Sequence, residues 1–224
     1  MSSNFLKFTV ATAMSALLSG AAFADNGFYV TGGFNSTTLQ HNLSRNTGAT
    51  GAAEGPVGGP SITSVDQETG ASFYVSGGYR FEAFEDSFLE IEAFYADETA
   101  ETQNINGVIV SDIELTSSYG VDVHLGQKIT DKFSVYGLVG IAQYEGDANL
   151  SYTFAAPTDS VSIEETGFVY GAGVEIGLTS NISTFGEVRI TNDLEFDTPV
   201  DQGGVTSEND LDFTGIRTGL KYKF

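Results

Sequence analysis

The chain has 224 residues, with 30 acidic side chains against nine basic ones, a formal net charge of −21, and no cysteine. That balance excludes nucleic-acid binding, because no basic surface exists to replace phosphate counterions. The missing thiols exclude a disulfide framework and thiolate chemistry.

At the N-terminus, Lys7 precedes an apolar stretch from Phe8 to Leu18 and then small residues ending Ala22–Phe23–Ala24. A charged start, a short apolar core and an A-x-A site define a secretory signal peptide. Residues 1–24 are therefore expected to be removed and residues 25–224 to form one domain. The apolar stretch is too short to span a bilayer. Without Lys7, eight bases face 30 acids, a net charge near −22.

Eight segments then show the period-2 alternation of strands. In chain order they are Gly27–Leu39, Ala71–Glu82, Phe88–Tyr95, Thr116–Lys128, Phe133–Tyr144, Gly167–Leu178, Ile182–Thr191 and Phe213–Phe224. Three connections are short: Ala83–Ser87, Ile129–Lys132 and Thr179–Asn181. Four are long and polar: Gln40–Gly70, Ala96–Leu115, Glu145–Thr166 and Asn192–Asp212. Bacterial outer-membrane barrels have short periplasmic turns and long extracellular loops. The expected fold is all-β, an eight-stranded antiparallel up-and-down transmembrane barrel with four long extracellular loops and three short periplasmic turns.

The alternation has a direction. In the sixth segment Phe168, Tyr170, Ala172, Val174, Ile176 and Leu178 share one face, while Gly167, Gly171, Gly173, Glu175 and Gly177 fill most of the other. In the fourth, Tyr119, Val121, Val123 and Leu125 oppose Asp122, His124, Gly126 and Lys128. The fifth is the weakest, with Leu138 on the polar face and Gly137 on the apolar one. A soluble lipocalin-type barrel would turn its apolar face inward, and charge decides between the two. The polar face carries five bases (Arg80, Lys128, Arg189, Arg217, Lys221) and six acids (Glu82, Glu90, Glu92, Asp122, Glu175, Glu187). Near-balance there, within so acidic a chain, points to mutual pairing in a closed interior, with inner glycines leaving room for long side chains. Aromatic residues fall near the expected interfaces: Phe28, Phe81, Phe84, Phe133, Tyr222 and Phe224 on the turn side, and Tyr95, Tyr119 and Phe168 on the loop side.

The run Gly186–Glu187–Val188–Arg189–Ile190 and the ending Gly219–Leu220–Lys221–Tyr222–Lys223–Phe224 carry a family resemblance. Over the whole mature chain the sequence resembles the outer-membrane β-barrel family that includes the OmpA membrane domain, OmpX and the opacity-type adhesins. The resemblance implies residence in the outer membrane among lipid and lipopolysaccharide. It also implies insertion by the barrel-assembly machinery, which reads the terminal strand ending at Phe224, and a monomeric state. These motifs describe architecture and are nearly silent on activity.

Two histidines limit any His-based catalysis. His124 is expected inward beside Asp122, paired with an interior carboxylate. His41 sits at the start of the first expected loop, near Ser44, as a solvated residue. No nucleophile elbow, zinc-spaced histidine pair or phosphate-cradling glycine loop is present. No catalytic, cofactor-binding or metal residue is therefore assigned, and no cofactor is expected. Eight strands enclose only side chains, whereas aqueous channels need about 16.

What remains is the loop surface. The four long connections hold 20 of the 30 acids and one base, Arg45. The last alone has Asp193, Glu195, Asp197, Asp201, Glu208, Asp210 and Asp212. This negative surface is expected to attract divalent cations weakly, bridging to lipopolysaccharide phosphates, without the spacing of an EF-hand. The Gly/Ala/Pro-rich stretch Gly48–Pro60 is expected to be flexible. The expected function is a structural, surface-contact (adhesin-like) role through a loop-bound ligand. A small-solute or weak porin-type channel is the alternative, and an outer-membrane hydrolase stands further behind.

Overall fold

In hydrocarbon every backbone N–H and C=O must find a partner within the protein, which leaves a sheet of strands only one solution, closure on itself. The computed structural model shows that solution. It describes residues 26–46, 64–84, 86–106, 109–152, 159–197 and 206–224. All elements among them are strands: β1 (Gly27–Asn46), β2 (Ser64–Phe84), β3 (Ser87–Asp97), β4 (Glu101–Asn106), β5 (Ile109–Thr130), β6 (Phe133–Tyr152), β7 (Asp159–Gly177), β8 (Ile182–Asp197) and β9 (Thr206–Lys223). Each pairs antiparallel with its neighbours, β1 pairs with both β2 and β9, and β3 pairs with β5, so the ring closes.

The ring has eight staves, as the alternation implies, because β3 and β4 form one interrupted stave along β5. Residues Asp97–Ser87 pair with Ser117–Gln127, and Glu101–Asn106 pair with Glu114–Ile109. Across the break, Glu98 N donates to Thr116 O (3.1 Å) and Leu115 N to Ala100 O (2.9 Å). A bulge between Leu115 and Ser117 in β5 sits opposite the same break. Gly70 lets the chain pass here, since an added Cβ would lie 2.7 Å from Ala100 N.

The strands run well beyond the segments marked by alternation. β1 has 20 residues and β5 has 22, against about 9–11 for a tilted crossing. Much of the four stretches expected as loops is therefore paired sheet, and the connections between strands shrink to 47–63, 107–108, 153–158 and 198–205, outside the described residues. His41 and Ser44, expected at a loop start, lie within β1, where their backbones pair with Leu211 and Glu208 of β9. The physical reason is a change of solvent. Past the bilayer the outer face is polar, with Glu101, Gln103, Glu114, Thr116, Asn149, Ser162 and Glu164 exposed. The inner face turns apolar, with Leu39, Ala100, Ile113, Leu115, Ala148, Ile163 and Phe213 buried together. The Leu115/Ser117 bulge performs this exchange on β5. Below it the even-numbered residues from Ser118 to His124 point inward; above it Ile113 and Leu115 do.

Within the membrane the faces fall as the charge argument requires. Ile91, Val121, Leu125, Val139, Phe168, Val174, Ile176, Val188, Ile216 and Leu220 are exposed on the outside, while the charged residues of the polar face are enclosed, apart from Lys128 and Glu82 at the mouth. Leu138 is inward and buried, and Gly137 is outward. Tyr119 departs from expectation: it stands on the outward row yet is buried, its hydroxyl donating to Glu145 Oε1 at 3.0 Å.

Because the chain has no cysteine, single probes can be placed by Val174→Cys, Val123→Cys and Leu138→Cys. In liposomes, lipid-borne quenchers should quench a fluorophore at 174 and 123 and spare one at 138. The reverse order would contradict the face assignment.

Candidate functional site

The lumen is where this chain concentrates its chemistry. Cross-strand register builds it: Arg80 on β2 faces Glu90 on β3, and Glu187 on β8 faces Arg217 on β9. Two ionic layers result. In the layer nearer the turns, Arg80 Nε donates to Glu90 Oε1 (2.6 Å) and its Nη2 to Glu175 Oε2 (2.6 Å). Lys221 Nζ reaches both oxygens of Glu90 at 3.0 Å and Glu175 Oε2 at 2.9 Å. Ser183 donates to the remaining oxygen of Glu175 (3.0 Å). In the next layer Arg189 grips Asp122 with two parallel bonds, 2.7 and 3.0 Å, and donates to Glu187 Oε1 at 3.1 Å. Tyr136 donates to Glu187 Oε2 (2.9 Å).

Aromatic rings complete the packing around these cations. The Arg80 guanidinium lies 4.1 Å over Phe88, and Arg189 and Arg217 lie 4.8 and 4.3 Å from the Phe94 ring. Lys221 sits 4.4 Å over Tyr29. The glycines expected to make room for Arg and Glu serve other neighbours as well: Tyr136 lies over Gly173, and Asp122 packs against Gly140. An alanine at either would collide.

A third, polar layer closes the lumen on the loop side. Its centre is Glu98, expected in a loop but buried inside. It accepts from Asn35 Nδ2 (3.2 Å), Thr37 (3.1 Å) and Ser118 (2.7 Å). The signal was available: Glu98 continues the even-numbered inward row Glu90, Glu92, Phe94, Ala96. At the opposite mouth Lys128 pairs with Glu82 at 2.9 Å. A vestibule of about 210 Å³ opens there, floored by Tyr29, Arg80, Glu175 and Lys221. On the far side of the ionic layers the cavity beside Glu98 and Arg217 measures about 20 Å³, room for roughly one water. Between them lie the buried side chains of the ionic layers.

His124 is inward, as expected, and its interior carboxylate is Glu90: Nδ1 to Oε2 is 3.1 Å. The ring stacks on Tyr136 at 5.1 Å. Its Nε2 is buried without a hydrogen-bond partner, and Glu92, Asp122 and His124 place three ligand-capable atoms within 4.8 Å of one another. This is the metal-capable group among the described residues. The side chains of His41, Asp193, Glu195, Asp197, Glu208 and Asp210, and all of Asp201, lie outside them.

A closed antiparallel barrel, apolar outside and ionic within, is the architecture of an outer-membrane protein. The sequence agrees: the profile of the outer membrane protein beta-barrel domain family matches residues 9–224. The chain belongs to that family and resides in the outer membrane. No curated protein matches the chain in sequence. Among solved structures it is similar to Ail, the attachment invasion locus protein of Yersinia pestis, solved in complex with the heparin analogue sucrose octasulfate (18% identity, 88% of this chain and 99% of that one, TM-score 0.43). It is also similar to the outer membrane protein OprG from Pseudomonas aeruginosa (15%, 90% and 96%, TM-score 0.49) and to the outer membrane protease OmpT from Escherichia coli (9%, 92% and 99%, TM-score 0.48).

Breaking a buried pair is far more costly than removing it whole. Asp122→Asn, which leaves Arg189 short of a carboxylate, should destabilise the barrel by on the order of 3 kcal/mol. The double variant Asp122→Asn/Arg189→Met should recover part of that loss. Urea unfolding from lipid vesicles, followed by circular dichroism, measures both.

Proposed function

We propose that the protein is a monomeric structural and surface-contact barrel, adhesin-like in role and without catalytic activity. In this reading the signal peptide at 1–24 is removed on export, and the barrel-assembly machinery inserts the chain by its terminal strand ending at Phe224. The observation that carries the reading is the pairing of a packed lumen with strands that continue past the bilayer. The wall outside the membrane is hydrogen-bonded sheet over an apolar interior, a rigid stalk with a polar, acidic exterior. Such a stalk extends the protein past the bilayer, where a surface ligand is reached.

The filled lumen weighs against the small-solute or porin-type channel. The placement of His124 weighs against a hydrolase, since its ring is enclosed between Glu90 and Tyr136, away from any extracellular substrate. The test uses outer-membrane vesicles carrying the full-length protein or a form with residues 47–63 and 198–205 replaced by Asn-Gly turns. Attachment to cells or a coated surface should fall to the level of vesicles lacking the protein, with heat-dependent gel migration unchanged. Equal attachment by trimmed and full-length forms would contradict the reading.

A further inference from the structure

We propose that the lumen holds a structural divalent transition-metal cation, of the zinc class, ligated by His124 Nε2 and the carboxylates of Glu92 and Asp122. Four observations lead there. The first is charge. Among the described buried side chains there are six carboxylates (Glu90, Glu92, Glu98, Asp122, Glu175, Glu187) and four cations (Arg80, Arg189, Arg217, Lys221). With the buried His124 neutral, two negative charges are left over in an enclosed, low-dielectric interior, where an uncompensated charge is costly. One dication balances them.

The second is the histidine. A carboxylate only accepts, so the Glu90 contact places a proton on Nδ1, and in the neutral imidazole that a metal requires the Nε2 lone pair is then free. That Nε2 is buried and unpartnered. A carboxylate holding the distal nitrogen of a histidine is the arrangement that orients metal-ligating imidazoles. Third, Glu92 stands without a hydrogen bond to the neighbouring cations, in contrast to Glu90, Asp122, Glu175 and Glu187. Its cross-strand partner is Gly78, and over Gly78 lies Tyr29 Oη, a second buried polar atom without a partner. Of the four buried polar atoms without a partner among the described residues, two lie beside Glu92 and Asp122, on Tyr29 and His124, and the other two belong to Arg217.

The fourth is geometry. The three ligand atoms lie within 4.8 Å of one another. Ligands on tetrahedral zinc stand about 3.4 Å apart, so side-chain rotations of roughly an ångström or two close the set. Asp122 keeps lone pairs for a metal while Arg189 holds its two oxygens. One imidazole with two carboxylates favours zinc-like ions over magnesium or calcium, which take oxygen ligands. The residues come from two strands at positions 92, 122 and 124, a spacing that matches no short metal motif.

The lumen is closed, so the metal is offered during folding. The mature chain is refolded into detergent micelles with Zn²⁺, passed through gel filtration to remove free metal, and assayed for bound zinc. The expected result is one equivalent per folded chain, retained in high salt, and unchanged in His41→Gln. His124→Gln and Glu92→Gln should each lower the affinity by about tenfold or more. Weak binding that salt abolishes belongs to the exposed acids and overturns the proposal. So does full retention in His124→Gln. No retained zinc in heat-modifiable, folded wild type also overturns it, the excess carboxylates then carrying protons. Should His124→Gln fail to fold, Cu²⁺ loaded into His41→Gln decides: nitrogen hyperfine coupling from one imidazole supports the site, and its absence refutes it.

Discussion

Everything in this molecule turns on burying ten charged side chains inside a ring of strands surrounded by lipid. Closure satisfies the backbone, but it gathers Arg80, Arg189, Arg217 and Lys221 with six carboxylates into the buried interior. Isolated, any one of them would be prohibitively costly there. Shared, they become a lattice in which Glu90 receives Arg80, Lys221 and His124 at once. Asp122 meanwhile receives both arms of Arg189. The lattice draws on β2, β3, β5, β7, β8 and β9, so it ties most of the ring together across its diameter. The same contacts that hold the wall also occupy the lumen.

The second feature follows from the first by contrast. Outside the bilayer the barrel exchanges its polarity: the wall becomes polar and the filling apolar, from Leu39 through Ile113, Leu115 and Ile163. One continuous set of strands thus serves two solvents. Burying each such side chain contributes about 1.5–3 kcal/mol, which supports sheet that no lipid covers. The bulge at Leu115/Ser117 and the break at 98–100 mark the level of the exchange on one stave, where the side-chain parity of β5 reverses.

The membrane half of this architecture was legible in the sequence because lipid enforces a strict apolar row, and rows such as Phe168–Leu178 advertise it. The five bases and six acids of the inward face could be named from parity alone. The outer half was not legible by the same rule. Toward the loop-side ends of β1 and β2 the outward positions are Thr38, Gln40, Gln67 and Thr69, so alternation fades while the ladder continues. Parity also fails across a bulge, which is why Ile113 and Leu115 read as loop. Glu98 was misplaced because Asp97, Glu98 and Glu101 together look like solvated acids. The metal-capable set stayed hidden for a simpler reason: Glu92 and His124 meet only through the pairing of β3 with β5.

The most direct test of a lumen closed by ion pairs is electrical. Purified barrel inserted into a planar lipid bilayer should give no stable, large single-channel steps at any moderate salt concentration, because buried ion pairs occupy the lumen among the described residues. Reproducible nanosiemens-scale steps from the monomer would contradict the account.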